Sequence, residues 1–127
     1  IRASQIATAE ENSFTVQIYG KNGCFKWNQE NPNYLYHLME GKPIQILKPG
    51  NSYLSDFSLK SSKLPPGHPE GFFDAMGNIY NGVAKTLKKV QKDDGSYPSI
   101  NEGVRGMMFI EKVLESNKNG NKWIKLD

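Results

Sequence analysis

Cysteine is nearly absent from this chain. Cys24 is the only one in 127 residues, so no intrachain disulfide can form, and the expected compartment is a reducing cytoplasm. A lone cysteine at strand spacing reads as a packed side chain, with nothing nearby in sequence to make it a nucleophile. Histidine is scarce too. His37 and His68, with one cysteine, leave too few ligands for a protein-only structural zinc site. No apolar run approaches membrane-spanning length and no signal-peptide pattern is visible, so no membrane partner is expected. The chain has neither G-x-G-x-x-G nor G-x-x-x-x-G-K-[ST] to cradle a phosphate, and no H-E-x-x-H or G-x-S-x-G. Ser4, His68 and Asp74 have no spacing that supports a hydrolase triad, and Glu30 and Glu70 none that supports a carboxylate pair.

Charge of one sign is also in short supply. The net charge is +3, and the lysine groups (Lys85, Lys88 and Lys89; Lys118, Lys122 and Lys125) are not interleaved with aromatics. They read as solvated faces, and no nucleic-acid partner is expected. Charged residues at 23% and apolar ones at 37% mark a globular chain, and 127 residues fit a single domain. The first nine residues include no initiator Met and start in what reads as an element already under way, so a piece of a longer chain is expected.

The first half reads as strands. Residues 13–19 alternate, with Phe14, Val16 and Ile18 on one face and Thr15, Gln17 and Tyr19 on the other. Gly20-Lys21-Asn22-Gly23 supplies a tight hairpin turn, and residues 24–29 return with Phe25 and Trp27 sharing a face. Pro32 breaks that strand. A second hairpin joins residues 34–39 to 44–47, and residues 1–7 read as a further strand. Tyr19, Tyr34, Tyr36, His37 and Gln17 make a sheet surface richer than water alone requires, which points to burial against another subunit or domain.

The second half reads as helices. From residue 69 to about 91, Phe72, Met76, Ile79, Tyr80, Val83, Leu87 and Val90 form one stripe, the layer expected to pack on the sheet. Asp93-Asp94-Gly95 ends it. Ser99 and Glu102 have capping-box spacing before a second helix to about residue 117, with Val104, Met107, Met108, Ile110 and Leu114 inward. Residues 122–126 are a short strand or extended tail. The fold class is therefore α+β: an open, mainly antiparallel sheet of about four to six strands with two main helices on one face.

The stretch Leu64-Pro65-Pro66-Gly67-His68-Pro69-Glu70-Gly71 stands apart. Three prolines fix φ while two glycines relax it, which suits a site wall holding His68 and Glu70. Taken alone, such a pattern more often marks a helix start, with Pro69 in the first turn, and Glu70 is read as its N-terminal charge.

Several segments together resemble one family in order and spacing. They are Ser4-Gln5-Ile6-Ala7, Glu11-Asn12, Val16-Gln17-Ile18-Tyr19-Gly20 with Gly23, and Trp27-Asn28-Gln29-Glu30-Asn31-Pro32-Asn33. Residues 64–78 with Tyr80 continue the pattern, followed by Tyr97-Pro98-Ser99, Gly103, Arg105-Gly106-Met107, Phe109-Ile110-Glu111 and Val113. Glu115-Ser116, Gly120 and Lys122-Trp123 complete it. The family is the glucose–fructose oxidoreductase, inositol dehydrogenase and MocA group of NAD(P)-dependent sugar oxidoreductases. The resemblance covers nearly the whole chain, as the latter part of the family's C-terminal domain. It implies a parent enzyme moving hydride between NAD or NADP and a sugar or polyol, with an upstream Rossmann domain. The family's catalytic lysine and its Asp and His have no matching positions here, so no catalytic residue, no cofactor-binding residue and no metal ligand is assigned. Self-association through the sheet, as a dimer or larger oligomer, is also implied. His68 and Gln5 are the candidate substrate-binding residues, because both offer directional hydrogen bonds to hydroxyl groups. Trp27 offers a stacking surface, but its strand position favours a core or interface role. A stand-alone, non-catalytic binding or assembly module of the same fold remains the alternative.

Overall fold

A computed structural model describes residues 1–92 and 94–126. They fall into two compact units, one over Ile1–Met76 and one from Gly77 onward. The elements are those of an α+β fold: an open antiparallel sheet, two long helices and one short helix.

The sheet lies in the first unit. Strands β1 (Thr15–Gly20), β2 (Gly23–Asn28), β3 (Leu35–Leu38) and β4 (Gln45–Leu47) pair in sequence order, each antiparallel to the next. The register follows from the alternation. Val16 lies opposite Trp27, which lies opposite Leu35, which lies opposite Leu47; Ile18, Phe25, His37 and Gln45 form the neighbouring row. These two rows make one largely apolar face, on which Phe14 meets Trp27 edge-on at 6.0 Å and Phe25 stacks on His37 at 4.5 Å. Gln17, Lys26, Tyr36 and Ile46 cross the opposite face. His37 therefore stands on the opposite face from Tyr36, its chain neighbour.

Residues 1–7 do not form the expected strand. A strand needs a ladder partner, and this segment has none among the described residues; the Ser4 hydroxyl instead accepts the N–H of Ile6 at 3.3 Å. β1 is consequently an edge of the sheet. Sequence periodicity also missed a helix, α1 (Asp56–Ser61), which Ser55 caps by accepting the Ser58 N–H at 3.3 Å.

Helix α2 (Phe72–Leu87) starts later than the stripe implied, so Pro69 precedes it and is not in its first turn. Its N-terminal acidic residue is Asp74, whose carboxylate accepts the Gly71 N–H at 2.8 Å. The helix ends four residues short of the expected boundary. Lys89 turns left-handed at φ 57°, donating to Thr86 O, while Val90 donates to Lys85 O at 2.9 Å. This is a Schellman closure with lysine where glycine is usual. Asp93, which was expected to help terminate the helix, lies outside the described residues.

In the second unit Gly82 of α2 is the one buried position among the described residues, because a Cβ there would sit 2.5 Å from Ser96 Oγ. Helix α3 (Ile100–Lys118) closes at Gly120, φ 76°, with Asn121 donating to Ser116 O at 2.8 Å. Residues 122–126 form the extended tail and not a strand. No described helix is long and apolar enough to cross a membrane.

The capping box is present as expected. Glu102 accepts the Ser99 backbone N–H at 2.5 Å, and that bond, followed by one to the Ser99 hydroxyl, holds its carboxyl below the usual value. A carboxyl whose pKa falls on folding stabilises fully above its unfolded value, and that contribution is lost as pH falls through the folded one. Helical circular dichroism followed from pH 6 to pH 2 should show an acid-side loss that Glu102→Gln removes. Superimposable acid profiles for the two proteins would reject this account.

Neither the sheet nor the helices bury their apolar residues completely. Ile18 is 62% exposed, Phe72 64%, Leu87 77% and Val104 52%, and no apolar side chain of the described residues is fully covered. The helical stripes keep the expected spacing but not the expected burial: Met107, Ile110 and Leu114 were read as inward and are all half-exposed or more.

Candidate functional site

Pro65-Pro66-Gly67-His68 forms a tight turn. Pro66 presets φ at the second position, Gly67 supplies the positive φ of 87° at the third, and His68 N–H closes onto Pro65 O at 3.2 Å. The same carbonyl lies 3.2 Å from His68 Nδ1. A carbonyl only accepts, so Nδ1 carries the hydrogen, and in the neutral ring Nε2 is left as a bare acceptor. The stiff loop thus fixes both the orientation and the tautomer of His68.

The loop is pinned to the sheet by Asn33, from the β2–β3 connection. Its Nδ2 donates to Glu70 O at 3.0 Å, and its Oδ1 accepts Glu70 N–H at 2.9 Å. Each bond contributes about 1 kcal/mol net, and together they fix distance and angle across 37 residues of chain. The Glu70 carboxylate accepts the Lys63 N–H at 2.7 Å, so it tethers the loop and is not the N-terminal charge of α2.

Between the pinned loop and the sheet lies an open cleft of about 360 Å³. Asn31, Asn33 and Tyr34 line it from the β2–β3 connection, Lys48 from the end of β4, and Gly67 and His68 from the turn. The Lys48 ammonium sits over the Tyr34 ring, 5.4 Å from its centroid. Asn33 is spent on the loop. The Asn31 amide, the Tyr34 hydroxyl, the Lys48 ammonium and His68 Nε2 have no hydrogen-bond or ion-pair partner among the described residues. Four unused polar groups converging on one concavity suit a hydroxylated ligand.

Of the residues singled out from sequence, the structure brings only His68 to this cleft. Gln5 lies exposed in the coil before β1 and does not line it. Trp27 donates its indole N–H to Pro32 O at 2.9 Å and packs on Phe14, which is the structural role its strand position favoured. The rejected triad does not assemble, since Ser4 bonds Ile6 N–H and Asp74 bonds Gly71 N–H. Glu30 accepts the Ser13 N–H at 2.7 Å and does not pair with Glu70. No group of three or more His, Cys, Asp or Glu able to hold a metal occurs among the described residues. Sequence reading missed Lys48, Asn31 and Tyr34. Lys48 lies well beyond the other two in the chain, and only the pairing of β3 with β4 brings it beside Tyr34.

The profile of the oxidoreductase-family C-terminal alpha/beta domain, of the Gfo/Idh/MocA type, matches residues 2–126. The chain belongs to this family. Among curated proteins it is 30% identical over 115 residues to the uncharacterized oxidoreductase YfiI of Bacillus subtilis, covering 86% of this chain and 29% of that protein. Among solved structures, an oxidoreductase from Sinorhizobium meliloti superposes with a TM-score of 0.88 at 35% identity, over 96% of this chain and 35% of that one. An inositol dehydrogenase homolog from Azotobacter vinelandii, solved with NADH and myo-inositol, superposes at 0.87 with 29% identity. That match covers 96% of this chain and 34% of the other. This Gfo/Idh/MocA domain thus spans about a third of the length of the proteins it matches.

Proposed function

We propose that the chain is the substrate-side and assembly part of an NAD(P)-dependent sugar or polyol oxidoreductase of the cytoplasm, working as one C-terminal domain and inactive alone. The observation that carries this reading is the pinned His68 loop facing a polar cleft, in a family domain that spans a third of its relatives. The relative solved with NADH and myo-inositol supports a nicotinamide cofactor and a polyhydroxylated substrate for the parent.

The residues of this chain do not suit the cofactor. They include no glycine-rich phosphate loop, so the nicotinamide, and the hydride chemistry it supplies when bound, are assigned to the part of the parent outside this chain. What the chain itself contributes is orientation. His68 Nε2 accepts a hydrogen bond from a substrate hydroxyl, and Gln5 offers an exposed amide as a second substrate contact. Holding the reacting carbon against a cofactor is itself a large share of catalysis. The sheet contributes assembly: Gln17, Tyr19, Lys26, Tyr36 and Ile46 form the surface through which copies associate, and Tyr19 is 70% exposed.

The 127-residue chain alone should show no dehydrogenase turnover and no NADH binding tighter than about millimolar. Micromolar affinity in a fluorescence titration would overturn the assignment.

A further inference from the structure

The charge of the cleft carries the reading of His68 one step further. Every residue lining it is neutral or basic, and Lys48 is its fixed charge. The two carboxylates nearest in sequence are both turned to other work: Glu30 holds the Ser13 N–H and Glu70 holds the Lys63 N–H. Lys48 has no carboxylate partner among the described residues. The ammonium is instead held over the Tyr34 ring, which positions a cation without neutralising it. A positioned, uncompensated ammonium beside three unused hydrogen-bonding groups matches a ligand that carries both an anionic group and hydroxyls.

We propose that the cleft binds the anionic end of a phosphorylated or carboxylated sugar or polyol, with Lys48 as the counter-charge, the Asn31 amide and Tyr34 hydroxyl donating to it, and His68 Nε2 accepting from a neighbouring sugar hydroxyl. The proposal rests on the reading of this cleft as substrate-facing and adds the class of substrate. A phosphate and a carboxylate present the same acceptor oxygens to an ammonium, and the probes below separate them. Neutral polyols would gain from the hydrogen bonds but not from the charge.

The test uses the full-length protein that contains this chain, titrated calorimetrically with glucose, glucose 6-phosphate and glucuronate at low and at high salt. At low salt, one or both of the anionic sugars should bind about tenfold to a hundredfold more tightly than glucose, and salt should shrink that margin. Lys48→Met should abolish the preference while leaving cofactor affinity unchanged, and Lys48→Arg should restore much of it. Tighter binding of glucose 6-phosphate alone identifies the phosphate class, and of glucuronate alone the carboxylate class. Equal binding of all three sugars, or a preference that survives Lys48→Met, overturns the proposal. His68→Ala separates the two levels of the argument. If it weakens glucose binding while Lys48→Met changes nothing, the cleft faces substrate and the anionic class is wrong. If neither substitution changes the binding of any sugar, both readings fall.

Discussion

Replacing His68 with Ala in the full-length protein should lower kcat/KM for the proposed sugar or polyol substrate by about tenfold, with affinity for the proposed NAD(P) cofactor within about twofold of the parent. The size follows from the geometry. The ring is held by the Pro65 carbonyl through Nδ1, so Nε2 reaches a substrate hydroxyl without first losing rotamer freedom. Removing it leaves that hydroxyl unpaired in a partly enclosed cleft, a loss of about 1 to 3 kcal/mol. The substituted loop keeps its Pro-Gly turn and its Asn33 anchor, so folding is spared. His68→Asn retains a donor and an acceptor on a shorter arm and should recover part of the activity. Kinetics of His68→Ala indistinguishable from the parent would remove His68 from the substrate site.

Gly23→Ala should be the most damaging single-methyl change in the sheet, destabilising the protein by about 3 kcal/mol. Gly23 opens β2 beside the end of β3, and a Cβ there would lie 2.3 Å from the Leu38 carbonyl oxygen and 3.2 Å from Met39 Cγ. A side-chain atom could rotate aside, but Leu38 O is backbone, next to the ladder in which Cys24 pairs with Leu38. Relief therefore requires strand separation where β2 and β3 meet. Gly20, its partner across the hairpin, makes the control: a Cβ at Gly20 comes no closer than 3.6 Å to Gly23 O, an ordinary contact. Urea unfolding of the two variants should give well-separated midpoints, with Gly20→Ala near the parent. Coincident midpoints would show that the β2 strand end yields more readily than its geometry implies.

The legibility of this chain was uneven, and the pattern has a physical cause. Alternation over β1 and β2 predicted both their faces and, through the tight turn, their register, because a two-residue turn leaves little freedom of pairing. The Ser99–Glu102 cap was legible because both partners lie within one helical turn. The segment 1–7 was misread because strand identity belongs to a pair and not to a residue run, and the sheet of the described residues offers it no partner. The end of α2 was misread because its apolar spacing continues to Val90, while the left-handed turn at Lys89 carries no glycine to announce it. Glu70 was misassigned because its charge suits a helix start, yet a hydrogen bond seven residues back toward Lys63 claims it.

By itself the sequence determined the α+β class, the hairpins, the Ser99–Glu102 cap of α3 and the stiff turn that orients His68, since all of these arise from neighbours close in the chain. Tertiary structure alone decided that Asn33 would fasten the loop, that Lys48 would rest on Tyr34, and that Glu30 and Glu70 would bond the Ser13 and Lys63 amides. Those choices join residues up to 37 positions apart, and no local propensity encodes a contact that exists only after the sheet has brought its ends together.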